Sequence, residues 1–173
     1  ESPADDSALE LLDEIVDAWE APSEQSVELL VDARTAAQAW DTLVALYQKL
    51  AGRATSDTEK VELFEKVYEL RTVQQQDDTG AYAVSKIMLM LDSADEKIRE
   101  RLLEHTEATG QYQDLAEFLE HCLEMDQVAG TELEVDYQAI LADILETHLQ
   151  DFERAVSFFE SVAASDHMDR VKE

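Results

Sequence analysis

Residues 110–125 read GQYQDLAEFLEHCLEM. Gly110 suits the end of one helix, and Tyr112, Leu115, Phe118, Leu119 and Cys122 then recur at spacings of three and four residues. That is the period of an α-helix, so the five side chains share a single face. Moved back by 72 residues, the pattern returns as Trp40, Leu43, Leu46, Tyr47 and Leu50. One helix and its copy, two helix pairs apart, imply a chain built by repetition.

Composition supports an all-helical reading. With 45% hydrophobic residues in 173, the chain has enough apolar material to bury a core. Only four Gly and two Pro leave little punctuation for a strand-rich fold. The formal net charge is −28, from 41 acids against 13 bases. Such a field repels nucleic-acid phosphates and anionic lipid, so neither is expected as a partner, and it attracts basic surfaces. An acidic surface poor in lysine also suits a salt-rich cytoplasm, where the charges are screened. Cys122 is the only cysteine, which rules out an internal disulfide. No apolar run approaches a membrane span and no signal peptide opens the chain, so a cytoplasmic address is expected.

Helices are expected over residues 7–19, 24–34, 36–50, 59–73, 81–91 and 94–109, then from Gly110. Two more carry Tyr137, Ile140, Leu141, Ile144 and Leu145, and then Phe152, Ala155, Val156, Phe158, Phe159 and Val162 behind an Asp151 cap. His167 is read as the start of a further helix. Gly52 is expected to begin a loop that ends at a Ser56 or Asp57 cap. Residues 74–80 form a turn, and Ser93 with Glu96 forms a capping box. Ile98, Leu102 and Leu103 are taken to face inward. The helix over 81–91 is apolar on most sides and is expected in the middle of the stack. Ala8, Leu43, Ala81, Leu115 and Ala155 open every second helix and stand 35, 38, 34 and 40 residues apart. These intervals fit stacked helix pairs of about 34 residues, with a double repeat near 73.

Gly110, Tyr112, Leu115 and Leu119, and again Phe152, Ala155 and Phe159, resemble the tetratricopeptide repeat family. Leu102 and Leu103 stand where that family has a Leu-Gly pair in its first helix; Leu103, Val31 and Ala142 replace the Gly. The family's closing Pro is absent, with Asp92 and Asp166 in its neighbourhood. The resemblance implies a right-handed α-solenoid of about nine helices over 1–173. An unpaired first helix, an unfinished last pair and no polar capping helix at either end add the expectation of a longer array. The resemblance also implies that the first helix of each pair lines a concave groove. In that register the groove carries Glu28, Asp32, Glu65, Glu69, Glu100, Glu104, Glu107, Asp136, Asp143 and Glu146.

Like charges at Glu28/Asp32, Glu65/Glu69 and Glu100/Glu104 cost roughly 0.2–0.5 kcal/mol per pair. A basic peptide or partner helix in the groove would relieve them. The alternative is a structural spacer or regulatory repeat segment whose acids cover every exposed face and are screened by salt. No catalytic constellation is present: His105, His121, His148 and His167 lie in different repeats and are read as solvated, and no metal or phosphate motif occurs. No cofactor and no enzyme activity are expected, and Cys122 is read as a core residue. An uncovered end bearing Phe152, Phe158 and Phe159 is expected to favour self-association.

Overall fold

The computed structural model describes Glu14 and residues 23–172, with side-chain surroundings as far as Ser165. The expected helix over 7–19, and the anchor Ala8, lie outside the described residues. Eight α-helices follow in order: α1 (Glu24–Ala36), α2 (Trp40–Arg53), α3 (Asp57–Glu69), α4 (Asp78–Leu91), α5 (Glu96–Thr109), α6 (Tyr112–Leu123), α7 (Glu132–Thr147) and α8 (Phe152–Lys172). Leu70–Gln74 widens into a π-helical turn after α3. There Thr72 Oγ1 donates to the Tyr68 carbonyl, a bond that competes with the regular ladder. Among the described residues there is no strand, and the protein is all-α.

Left-handed corners and side-chain caps join the helices, and the joints before α7 and α8 use both. Gln38, Gln76, Gly110, Gly130 and Gln150 take left-handed backbone, with φ of 54°, 51°, 71°, 73° and 56°, each two residues before a helix begins. The corners at Gln76 and Gln150 match bond for bond over a shift of 74 residues. Gln75 N–H donates to the Leu70 carbonyl and Asp77 N–H to that of Arg71, at 3.1 and 2.8 Å. Leu149 and Asp151 donate to Ile144 and Leu145 at the same two distances. Side-chain caps open several helices: Ser56 accepts from Glu59 N–H, Asp95 from Lys97 and Ile98 N–H, Thr131, next to Gly130, from Leu133 N–H, and Asp151, next to Gln150, from Arg154 N–H. Each such cap contributes about 0.5–2 kcal/mol.

The chain falls into two compact units, Glu1–Asp77 and Asp78–Glu173. In the first, Leu30, Leu43, Val44, Leu46, Tyr47, Ala51 and Val67 are buried, and α2 packs on α3. In the second, α4 packs on α5, α6 on α7, and α7 most closely on α8. Tyr137 is its largest fully buried side chain, and its hydroxyl donates to the Ser93 carbonyl at 2.9 Å. The repeat anchors Leu43, Ala81, Leu115 and Ala155 are all buried.

Several expectations need correction. The second helix starts at Trp40, not at Ala36, because the chain turns through Gln38. Gly52 lies inside α2, on an open side with nothing close to it, and does not start the loop. The turn after Gln74 is shorter than expected, since Asp78 already begins α4. Asp95, not Ser93, caps α5; Ser93 is buried, and its carbonyl accepts from Tyr137. Leu103 faces outward, while Ile98 and Leu102 are buried as expected. The helix over 81–91 is not covered on every side, because Ile87 and Met90 are exposed. Residues from His167 onward continue α8 and do not begin another helix.

Candidate functional site

In the second unit, α5 and α7 face one another across an open cleft of about 360 Å³. Leu103 on α5 and Ala139 and Ile140 on α7 supply its apolar surface. Glu96, Glu100 and Asp136 stand around them with one cation, Arg99. Helical spacing explains the gathering: 96, 99, 100 and 103 share one face of α5, and 136, 139 and 140 share one face of α7.

Arg99 fixes the geometry. Its Nη1 donates to the Ser93 carbonyl at 3.3 Å, its Nη2 lies 3.7 Å from Asp136 Oδ2, and its guanidinium sits 5.7 Å from the Tyr137 ring centre. The guanidinium is thus held by a carbonyl, a carboxylate and an aromatic face together. Burial pushes the Tyr137 phenol well above its usual range, the Cys122 thiol pushes the same way, and neighbouring Arg99 opposes both. Three carboxylates against one guanidinium leave the cleft acidic.

Of the expected groove residues, the cleft brings Glu100 and Asp136 together. Glu104 and Glu107 are exposed further along α5, and Asp143 and Glu146 further along α7. Glu28 and Asp32 are exposed on α1. On α3, Glu69 is exposed and close enough to Tyr47 to add to the burial that raises that phenol's pKa. Glu65 is half-buried, which departs from a solvent-facing groove position. Arg99 escaped the sequence reading and Leu103 was assigned to the inner face, although the 3–4 spacing from Glu96 and Glu100 was the signal that placed both on that face.

A polar cluster joins α4 to α6. Asp114 Oδ2 accepts from the Tyr82 hydroxyl and from Lys86 Nζ, both at 2.6 Å. Lys86 holds the Asp114 carboxyl below its usual range, with Tyr82 adding to the effect. Burial, and then the Asp114 bond, push the Tyr82 phenol far up. Cys122 is fully buried and its thiol is pushed up to about 11 by that burial, the opposite of an activated thiolate. His105 corrects the expectation of solvated histidines: it is buried, with Nδ1 3.0 Å from Asp78 Oδ1. His148 is exposed and stacks on Tyr112 at 3.6 Å between ring centres. Among the described residues no three His, Cys, Asp or Glu side chains gather as a metal site, and no helix is long and apolar enough to cross a membrane.

No family model matches the chain, and no curated protein or solved structure matches it.

Proposed function

We propose that this protein is an interaction scaffold of tetratricopeptide-like helix pairs, wound as a right-handed solenoid, whose acidic concave groove takes a basic peptide or partner helix. The observation that supports this most is the α5–α7 cleft, where Glu96, Glu100 and Asp136 surround Leu103, Ala139 and Ile140. An apolar floor gives a partner area to bury, and the acidic rim selects a cationic one and steers its approach. The matching corners at Gln76 and Gln150, 74 residues apart, support the helix-pair reading. The reading assigns no reaction, metal or cofactor, and it places the protein in the cytoplasm.

The test is fluorescence anisotropy with a labelled amphipathic helix bearing Lys and Arg beside Leu. The expected result is binding that weakens with salt and falls at least about tenfold on Glu100→Lys with Asp136→Lys, a loss of about 1.4 kcal/mol or more. Reversal of Glu65 and Glu69 asks the same of the first unit. Binding indifferent to both reversals would remove the groove from the account.

A second reading is a spacer or regulatory segment in a larger protein, with acids that serve salt tolerance. It is favoured by acids lying exposed well away from the cleft, such as Glu62, Glu117 and Glu153. A chain that binds no basic segment, yet gains stability steadily as salt rises, would support this second reading.

A further inference from the structure

The repeat offers a comparison inside the second unit. A shift of 74 residues superposes the corner at Gln76 on that at Gln150, bond for bond, and sets α8 on α4. Ala155 then falls on Ala81, and both are buried. Phe152, Val156, Phe159 and Glu160 fall on Asp78, Tyr82, Ser85 and Lys86.

On α4 that face is covered at Tyr82 and Ser85, while Asp78 at its start stays exposed. Asp78 meets His105 of α5, Tyr82 and Lys86 both bond Asp114 of α6, and Lys86 lies 5.3 Å from the Phe118 ring centre. Tyr82 and Ser85 retain only 2% and 1% of their exposure. On α8 the corresponding face is open: Phe152, Val156 and Phe159 are 59%, 53% and 40% exposed, and Glu160 is exposed as well. The face differs in chemistry in a consistent way. Polar contact residues are replaced by apolar ones, and the cation Lys86 is replaced by the anion Glu160.

We propose that the outer face of α8 is a docking surface for a further helix pair, joined to α8 as α5 and α6 are joined to α4. That pair presents apolar side chains to Phe152 and Val156, where α5 and α6 present His105 and Asp114. It presents Lys or Arg to Glu160, because an acid in the place of Asp114 would be repelled. Stacked repeats bury a continuous core only when each outer face is covered by its neighbour, and three large apolar side chains at 4–3 spacing form such a face. The surface is separate from the acidic cleft between α5 and α7.

The experiment grafts a copy of residues 92–124 onto the chain after residue 165, the position that matches residue 91. One graft keeps the copied sequence; the other carries His105→Leu and Asp114→Lys in the copied part. The altered graft is expected to melt about 4 °C or more above the 173-residue chain and above the unaltered graft. A triple change, Phe152→Ser with Val156→Ser and Phe159→Ser, should barely move the melting of the 173-residue chain and should abolish the gain in the altered graft. An altered graft that melts no higher than the unaltered one would overturn the proposal. So would a triple change equally damaging in both contexts. Sedimentation velocity completes the test: dimerisation that persists in the altered graft would make a second copy of the chain the occupant, and would also overturn it.

Discussion

Helices α2 and α6 lie in different units and carry the same burial pattern with different residues. From 39 to 48 and from 111 to 120 the positions agree in turn, except at Gln48 and Glu120. Each helix follows a left-handed residue, Gln38 in one case and Gly110 in the other. The aromatic side chain moves by one place, from Tyr47 in α2 to Phe118 in α6, and both places are buried. At one outward position the pair diverges: Thr42 donates to its own Ala39 carbonyl, whereas Asp114 ties α6 to α4. The repeat therefore preserves what the backbone does and which positions leave water. Residue identity varies wherever volume and polarity permit.

The strongest way to break this comparison is to cut the shared anchor. Leu43→Ala and Leu115→Ala each remove a fully packed side chain and should each cost about 2–5 kcal/mol in urea denaturation. A cost below about 1 kcal/mol in one of them would show that the two helices are not equivalent in packing. Alkali should separate the units next. Tyr47 in the first unit, and Tyr82 and Tyr137 in the second, have phenols raised chiefly by burial. A raised folded pKa means that their contribution is whole below the unfolded value near 10 and is lost as pH climbs above it. Circular dichroism against pH should show the second unit failing first, and Tyr82→Phe should delay that failure.

Smaller effects sharpen the corners. Gly110→Ala puts a Cβ on a residue at φ 71° and should cost about 1 kcal/mol, although no atom crowds the site. Gln38→Gly relieves the same conformation and should gain up to about 1 kcal/mol by thermal melting. The least effect is expected at the divergent position. Asp114 is half-exposed, so Asp114→Asn should cost less than about 1 kcal/mol at neutral pH. Because its folded pKa is depressed, that contribution holds above the unfolded value near 3.8 and disappears as pH falls through the lower folded value. Wild type and Asp114→Asn should therefore converge in acid.

Helices were legible because their apolar residues recur at three and four, a signal that survives any change of side chain. The turn over residues 74–80 was legible as a turn, but among the corners at Gln38, Gln76, Gly110 and Gln150 the left-handed residue itself was legible only at Gly110. Gln38, Gln76 and Gln150 adopt the same left-handed turn with a residue that carries no such signature, and Gly52 carried it falsely. Asp95 was missed as a cap because Ser93 and Glu96 offered a more familiar pattern two residues early. The acids of α5 and α7 could be placed on a helix face from spacing alone. Their meeting across a cleft, and the role of Arg99 between Ser93, Asp136 and Tyr137, depend on residues up to 44 positions apart and could not be read locally.

Cys122 equips the molecule with a clock for its own breathing. Fully covered and with its thiol held near 11, it will resist alkylation at neutral pH for as long as α6 stays seated. Since no other sulfhydryl exists in the chain, the pace of single-site modification counts openings of that region. A tightly bound companion that steadied α6 would slow the reaction, without any label having been engineered.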